Sequence, residues 1–381
     1  MNDIHGHAHG DELLVCVARR LQSVLRKGDV LARLSGDEFS AIIETNDKDE
    51  VERFCVRILE LFRAPTTVNE QSHYVSLSIG ASLFPEHARD AATLLEQADQ
   101  AMYSAKRFGR SCHQLYDSDL AEQTLLEERI AQQLFRSLAE SPDEFTVVYQ
   151  PHYMLNSGEV TGIEALLRWH HPSLGTVPPD RFIPIAEQRG WMASISELVL
   201  AYVQKDLQSE QTILPMGIRL AINVSARHLL EASFVPLMIR MRRVTDRLNW
   251  ELELEITETT LADLGERLSS RLAQLQQEGI RIAIDDFGTG YSSLAYLQSL
   301  PINVLKVDRS FVAKIGEARA DTRLVRAILA MAHALELEVV AEGIETETQR
   351  LTLRQLGCQH GQGYGFAKPQ PWSSQLFMPL T

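Results

Sequence analysis

From about residue 145 onward, short apolar runs alternate with segments long enough to be helices, and this pattern constrains the fold more than any other feature. The runs are TVVYQ (146–150), VTGIEALL (160–167), IRLAINVS (218–225), LELEITE (252–258), IRIAIDD (280–286), VLKVD (304–308), LEVVAEGIE (337–345) and a short stretch near Gly361-Gln362-Gly363-Tyr364. Strands separated by helices form βα units around a parallel sheet. About eight such units in roughly 240 residues is the size of a closed TIM-like (β/α)8 barrel.

The runs end, on their C-terminal sides, in groups able to bind metal or phosphate: Glu164, Asn223, Glu255, Asp285 with Asp286, Lys306, Glu342 and Gln362. In a barrel those ends face one mouth, so residues far apart in sequence converge there. Carboxylates gathered at one mouth repel one another unless cations sit between them. Oxygen ligands without Cys or His select Mg2+ or Mn2+ over zinc. Taken singly, an acidic residue at a strand end is often just a helix N-cap. A succession of them at strand ends is not explained that way, and the adjacent pair Asp285-Asp286 least of all. The segment Phe287 to Leu294, with Gly288 and Gly290, reads as a Gly-hinged loop able to move over the site.

The first 115 residues read as an α+β unit. A helix is expected over 11–27, with Leu14, Val17, Ala18, Leu21, Val24 and Leu25 on one stripe and Gly28 as its stop. A hairpin follows, 30–34 with 39–43, turning on Ser35-Gly36-Asp37-Glu38. Helices at about 49–63 and 90–107 and a strand from Tyr74 to Leu83 complete it, and residues 117–140 read as a connecting helix.

Charge excludes some partners. The chain has 37 basic and 51 acidic residues among 381, a formal net charge of −14, with −7 on either side of residue 125. That balance argues against non-specific binding to polynucleotide or to an anionic membrane surface. A small phosphorylated ligand remains compatible, because divalent metals invert the local field. Cys16, Cys55, Cys112 and Cys358 have no zinc-ligand spacing and read as small buried thiols in a reducing compartment. No run of about 18 apolar residues is present and the N-terminus lacks signal-peptide character, so a cytoplasmic chain without a membrane segment of its own is expected.

The motifs Glu164-Ala165-Leu166-Leu167-Arg168-Trp169, Asn223-Val224-Ser225, Glu255-Ile256-Thr257-Glu258, Asp285 to Leu294, Lys306-Val307-Asp308, Ala341-Glu342-Gly343-Ile344-Glu345 and Gln362-Gly363-Tyr364 follow one another in a known order. In this the sequence resembles the EAL-domain phosphodiesterases, which hydrolyse the bacterial second messenger cyclic di-GMP. The resemblance implies a barrel with two divalent metals, Mg2+ or Mn2+. It implies that Glu164, Asn223, Glu255 and Asp285 bind the first metal and that Asp285 or Asp286 reaches the second. Lys306 and Glu342 would orient or deprotonate the attacking water, with Gln362 placing it. Leu166, Arg168 and Asp308 would contact substrate, Arg168 through its guanidinium fork on phosphate. Glu258 would anchor the mobile loop. The product would be linear pGpG, and a dimer through the barrel is implied by the same likeness. Gln359 stands where family members often carry Asp. The alternative function is a cyclic di-GMP or GTP receptor that signals to a partner without turnover.

Residues 1–115 resemble a GGDEF domain, the diguanylate cyclase family, through Asn2-Asp3, Gly6 to Asp11, Ser35-Gly36-Asp37-Glu38-Phe39 and Asp99 to Arg110. The resemblance implies that Asn2 and Asp11 read guanine, that Asp37 and Glu38 lie at the metal and that Lys106 and Arg110 hold phosphates of GTP. It makes Arg26 and Asp29 the product-binding RxxD pair. A small metal site at His5, His7 and His9 is the weaker alternative. The first signature glycine is Ser35, and the strand that in the family precedes the Asn2-Asp3 position, carrying the other metal-binding Asp and a phosphate-binding Lys, is absent, so cyclase activity is not expected and the unit reads either as a regulatory remnant or as part of a fragment of a longer protein. The expected division is a partial GGDEF domain at 1–115, a helical linker at 116–126 and the EAL domain at 127–381.

Overall fold

The computed structural model describes residues 7–45, 47–68, 71–107, 111–209, 215–288, 294–316 and 322–380. They divide into two compact units, Met1–Arg129 and Ile130–Thr381. The helix Ser118–Glu140 begins in the first and ends in the second.

In the first unit the opening helix is His7–Gln22, earlier than the expected 11–27. It stops because Ser23 turns its hydroxyl back onto the Arg20 carbonyl at 2.6 Å, a local bond that competes with the helix ladder. Val24 and Leu25 nevertheless stay on the apolar cluster of Val17, Leu21, Phe54, Ile58 and Phe62. Strands β1 (Val30–Ser35) and β2 (Glu38–Ile42) form the expected antiparallel hairpin. The helix Lys48–Leu61 starts where Asp47 accepts the Asp49 amide. β3 (Thr66–Val68) pairs with β4 (Gln71–His73). The expected strand from Tyr74 to Leu83 is shorter: only β5 (Ile79–Ala81) is a strand, because its parallel partner β6 (His113–Leu115) offers three residues of backbone. The helix Ala91–Arg107 packs on β5.

In the second unit the strands are β7 (Phe145–Met154), β8 (Val160–His171), β9 (Gly175–Val177), β10 (Arg219–Asn223), β11 (Glu251–Thr257), β12 (Arg281–Phe287), β13 (Val304–Val307), β14 (Glu338–Ala341) and β15 (His360–Gly361). They follow one another in the sheet as β10-β11-β12-β13-β14-β15-β7-β8-β9, and β8 also pairs with β10, closing an eight-stranded barrel with β9 outside the ring. The expected fully parallel barrel needs one correction. β7 runs antiparallel to both β8 and β15. Its connection to β8 is a tight turn in which Met154 and Glu159 are bonded at 2.8 Å and Gly158 takes φ +75°. So short a link has no room for the crossover that a parallel pair requires.

Strand alternation sorts the residues into two cores. The outward faces, including Ile163, Leu220, Leu254, Ile282, Leu305 and Val339, join the large apolar cluster under the surrounding helices. Those helices carry their own punctuation. Pro179–Arg189 has Pro at its first turn and ends at Gly190 with φ +75°, while Glu347–Gln355 opens with a Thr346/Gln349 capping box. The inward faces are largely charged. At the floor Arg219 lies 2.7 Å from Glu338 and 3.7 Å from Glu253, and Arg281 lies 2.7 Å from Glu338 and 3.4 Å from Glu253. The small apolar cluster Ala283, Val304 and Val340 interrupts this polar interior.

Candidate active site

At the C-terminal ends of the barrel strands the predicted residues meet around one cation. Lys306, on a strand whose four residues are all buried, is itself fully buried. Its ammonium lies 2.7 Å from Glu255, 2.8 Å from Glu342, 3.2 Å from Asp285 and 3.7 Å from Glu164. Asn223 donates to Glu164 at 2.7 Å, and Gln362 donates to Glu164 at 3.1 Å and to Glu342 at 2.8 Å. Seven strands, β8 and β10 to β15, thus deliver one cluster, with Glu342 and Gln362 just beyond the ends of β14 and β15.

Glu342 and Gln362 lie past the strand ends, so backbone contacts fix them. The Glu342 amide donates to Val307 at 3.0 Å, the Gln362 amide to Ala341 at 2.9 Å, and the Ile344 amide to Gln362 at 3.1 Å. The Gln349 side chain accepts from the amides of Glu345 and Thr346 at 2.8 and 2.9 Å and holds the end of that loop.

The electrostatics follow from burying several carboxylates around one ammonium. Burial pushes Glu164 up, but Lys306, His152 and the amides of Asn223 and Gln362 outweigh it and bring the carboxyl down to about 2. Glu255 is held well above its ordinary value by burial and by Glu164, against Lys306. Glu342 is raised to about 8 by burial, with Asp285 and Glu164 adding to it against Lys306. Asp286 is raised by burial and then by Asp285 and Asp308. Burial disfavours the Lys306 charge, but Asp285, Glu164, Glu255 and Glu342 hold its pKa well above the usual lysine range. One ammonium does not neutralise this group, and carboxyls that keep protons near neutrality are suited to exchange them for divalent cations. The residues fit such ions: Asp285, Asp286 and Glu342 offer oxygens within 4.8 Å of one another, and buried Glu255 Oε1 has no hydrogen-bond partner. Asp286 takes φ +54° at an irregularity in the β12–β13 register, a conformation that turns it away from the regular strand phase.

The other predicted residues divide. Leu166 and Arg168 share the inward face of β8 with Glu164, both partly buried, and the Arg168 guanidinium donates to the Leu167 carbonyl at 2.9 Å. Asp308 is buried and caps the helix Arg309–Ala313, accepting from the Ser310 amide at 3.0 Å. Buried Glu258 accepts from the Gly288 amide at 2.8 Å, where the Gly-hinged segment begins, and residues 289–293 of that segment lie outside the described residues. Gln359 accepts from the Val339 amide at 3.4 Å.

In the first unit Asp11, Asp37, Glu38 and Lys106 are exposed. Ser35 donates to Glu38 at 3.2 Å. Asp29 accepts the Arg26 amide at 2.7 Å, and the Arg26 guanidinium pairs instead with Glu50 at 2.6 Å. Asn2, Arg110 and the side chains of His5, His7 and His9 lie outside the described residues.

Sequence reasoning missed His152. It is buried on β7, one ring nitrogen lies within 4.8 Å of carboxylate oxygens of Glu164 and Glu255, and burial together with Lys306 lowers its pKa to about 3, so the imidazole is neutral. Its signal was the alternation Gln150, His152, which places it inward only once the direction and partner of β7 are known.

The family model for the EAL domain matches residues 120–369, about the whole of the barrel and the helix that enters it. The chain belongs to the EAL family. Ahead of the EAL domain, residues 1–112 match the model described as diguanylate cyclase, GGDEF domain. Over 371 residues, 97% of this chain, the sequence is 37% identical to cyclic di-GMP phosphodiesterase NbdA of Pseudomonas aeruginosa, of which it covers 47%. It is 35% identical over 374 residues to cyclic di-GMP phosphodiesterase PdeR of Escherichia coli, covering 56% of that protein. The chain therefore spans about half the length of these curated relatives. Among solved structures, the PaMucR phosphodiesterase in complex with c-di-GMP aligns with a TM-score of 0.57 at 36% identity, over 65% of this chain and 99% of that one. Among the described residues no helix is long and apolar enough to cross a membrane.

Proposed function

We propose that the EAL domain of this chain hydrolyses cyclic di-GMP to linear pGpG. The observation that carries this reading is the convergence of Glu164, Glu255, Asp285 and Glu342 on the Lys306 ammonium at the mouth of a closed barrel. The names of NbdA, PdeR and PaMucR point to the same substrate.

Glu164, Asn223, Glu255, Asp285 and Asp286 are the residues that would hold Mg2+ or Mn2+, which would supply a more acidic water and charge neutralisation at the phosphate. Hydrolysis joins the water oxygen to phosphorus, breaks the phosphorus–O3′ bond and leaves a 3′ hydroxyl. Glu342 would receive the proton of the water in its ionised form, which the Lys306 ammonium favours against burial. Lys306 keeps that carboxyl oriented at 2.8 Å, and Gln362 bridges it to Glu164. Arg168 and Leu166 face the same mouth and would receive a phosphate and the dinucleotide ring, with Asp308 at the rim. Glu258 would hold the start of the Gly288 segment. The GGDEF unit serves as a regulatory part in this reading, with GTP as its candidate ligand, and the setting is the cytoplasm.

The test is incubation of the purified chain with cyclic di-GMP and either Mg2+ or Mn2+, with chromatography for pGpG. Product that disappears in Asp285→Ala is expected. Nucleotide binding without product under either metal would reassign the chain as a receptor.

A further inference from the structure

The groups around the mouth are not chemically uniform. Asp285, Asp286 and Glu342 form an all-oxygen set, whereas His152, Glu164 and Glu255 form a mixed nitrogen and oxygen set, each with ligand atoms within 4.8 Å of one another. The mixed set is the deeper one, since all three of its residues are buried. His152 comes from β7 at the level of Gly162, where the missing side chain leaves the imidazole room: a Cβ there would stand 3.4 Å from Nδ1. Two of its atoms are unpartnered although buried. His152 Nε2 and Glu255 Oε1 make no hydrogen bond, while Glu164 is held by Asn223 and Gln362. A buried imidazole nitrogen without a partner is unfavourable unless something binds it.

We propose that His152 is a third protein ligand at the Glu164/Glu255 end of the site and makes that end select transition ions such as Mn2+ over Mg2+. Imidazole suits transition ions, whereas Mg2+ takes oxygen and keeps its waters. The proposal deepens the phosphodiesterase reading and rests on it for the placement of the metals, but its test does not need turnover.

The experiment loads the intact chain with Mn2+ and records pulsed electron paramagnetic resonance for nitrogen coupling, alongside Mn2+ and Mg2+ titrations by calorimetry. Wild type is expected to show coupling from a directly bound imidazole nitrogen, lost in both His152→Gln and His152→Leu. Mn2+ binding is expected to weaken about 10- to 100-fold in those variants and Mg2+ binding far less. Wild-type Mn2+ protein without imidazole coupling would overturn the proposal, whatever the variants do, and so would coupling that survives in a folded variant. If pGpG forms in wild type while the coupling is absent, this inference fails and the phosphodiesterase reading stands. Imidazole coupling without pGpG would leave the metal assignment standing and remove the reaction.

Discussion

Four carboxylates share one buried ammonium at Lys306, so the residue cannot be exchanged without stranding charge. Breaking a buried charged group by removing one partner typically costs about 3–5 kcal/mol. Lys306→Met is expected to lose stability on that scale in urea unfolding without added metal, and to make no detectable pGpG. A second expectation concerns pH. Burial and then Arg219 lower His360 to about 4, against an ordinary value near 6.5. Above about pH 6.5 the imidazole is neutral folded or unfolded and contributes no pH dependence. As pH falls from there toward 4 the unfolded chain takes up a proton that the folded chain refuses, so stability is lost by up to about 1.4 kcal/mol per pH unit. Urea midpoints should show that slope in the difference between wild type and His360→Gln, which removes the titration; a difference independent of pH would contradict it. The residues at run ends were readable in the sequence because strand ends are where a barrel gathers its chemistry. His152 was not, because inward and outward phase on β7 depend on a neighbour the sequence does not name.

The eight runs were legible as strands because each is short, apolar and bounded by breakers. Direction was less legible. Asn156-Ser157-Gly158 is a turn signal too short for a crossover, and it alone carried the news that β7 runs the other way. The charged floor was invisible because Arg219, Glu253, Arg281 and Glu338 look in sequence like solvated residues within or beside strands, and only closure of the ring turns them inward. The segment after β14 and the segment after β15 lie backbone against backbone. A Cβ on Gly363 would stand 2.2 Å from the Ile344 amide nitrogen and from its carbonyl oxygen, too close for any side chain. Gly363→Ala must therefore push the two segments apart and move Gln362 off Glu164 and Glu342. A loss of about 1–3 kcal/mol is expected, together with a fall in kcat larger than any change in KM, measured by denaturation and steady-state kinetics.

Taken whole, the chain combines two unequal units. Among the described residues the first rests on three separate two-stranded sheets and a small apolar cluster, and the second on a closed ring with one large outer core. Two-stranded pairs are marginal in water, whereas a closed barrel leaves no edge. Amides of β1 and β2 are expected to exchange with deuterium well before those of β11 to β14, and equal protection would count against that ordering. The reversed strand has one more consequence. In an all-parallel barrel the chain arrives at the floor, away from the chemistry, but here it arrives at the rim. Between the helix Ser118–Glu140 and β7, Glu144 accepts from the Ser137 hydroxyl at 2.5 Å and from the Trp169 indole at 3.3 Å. Trp169 is the neighbour of Arg168 on β8. The end of the incoming helix is thereby joined to β8 through the Glu144 carboxylate, with only residues 141–144 between that helix and β7.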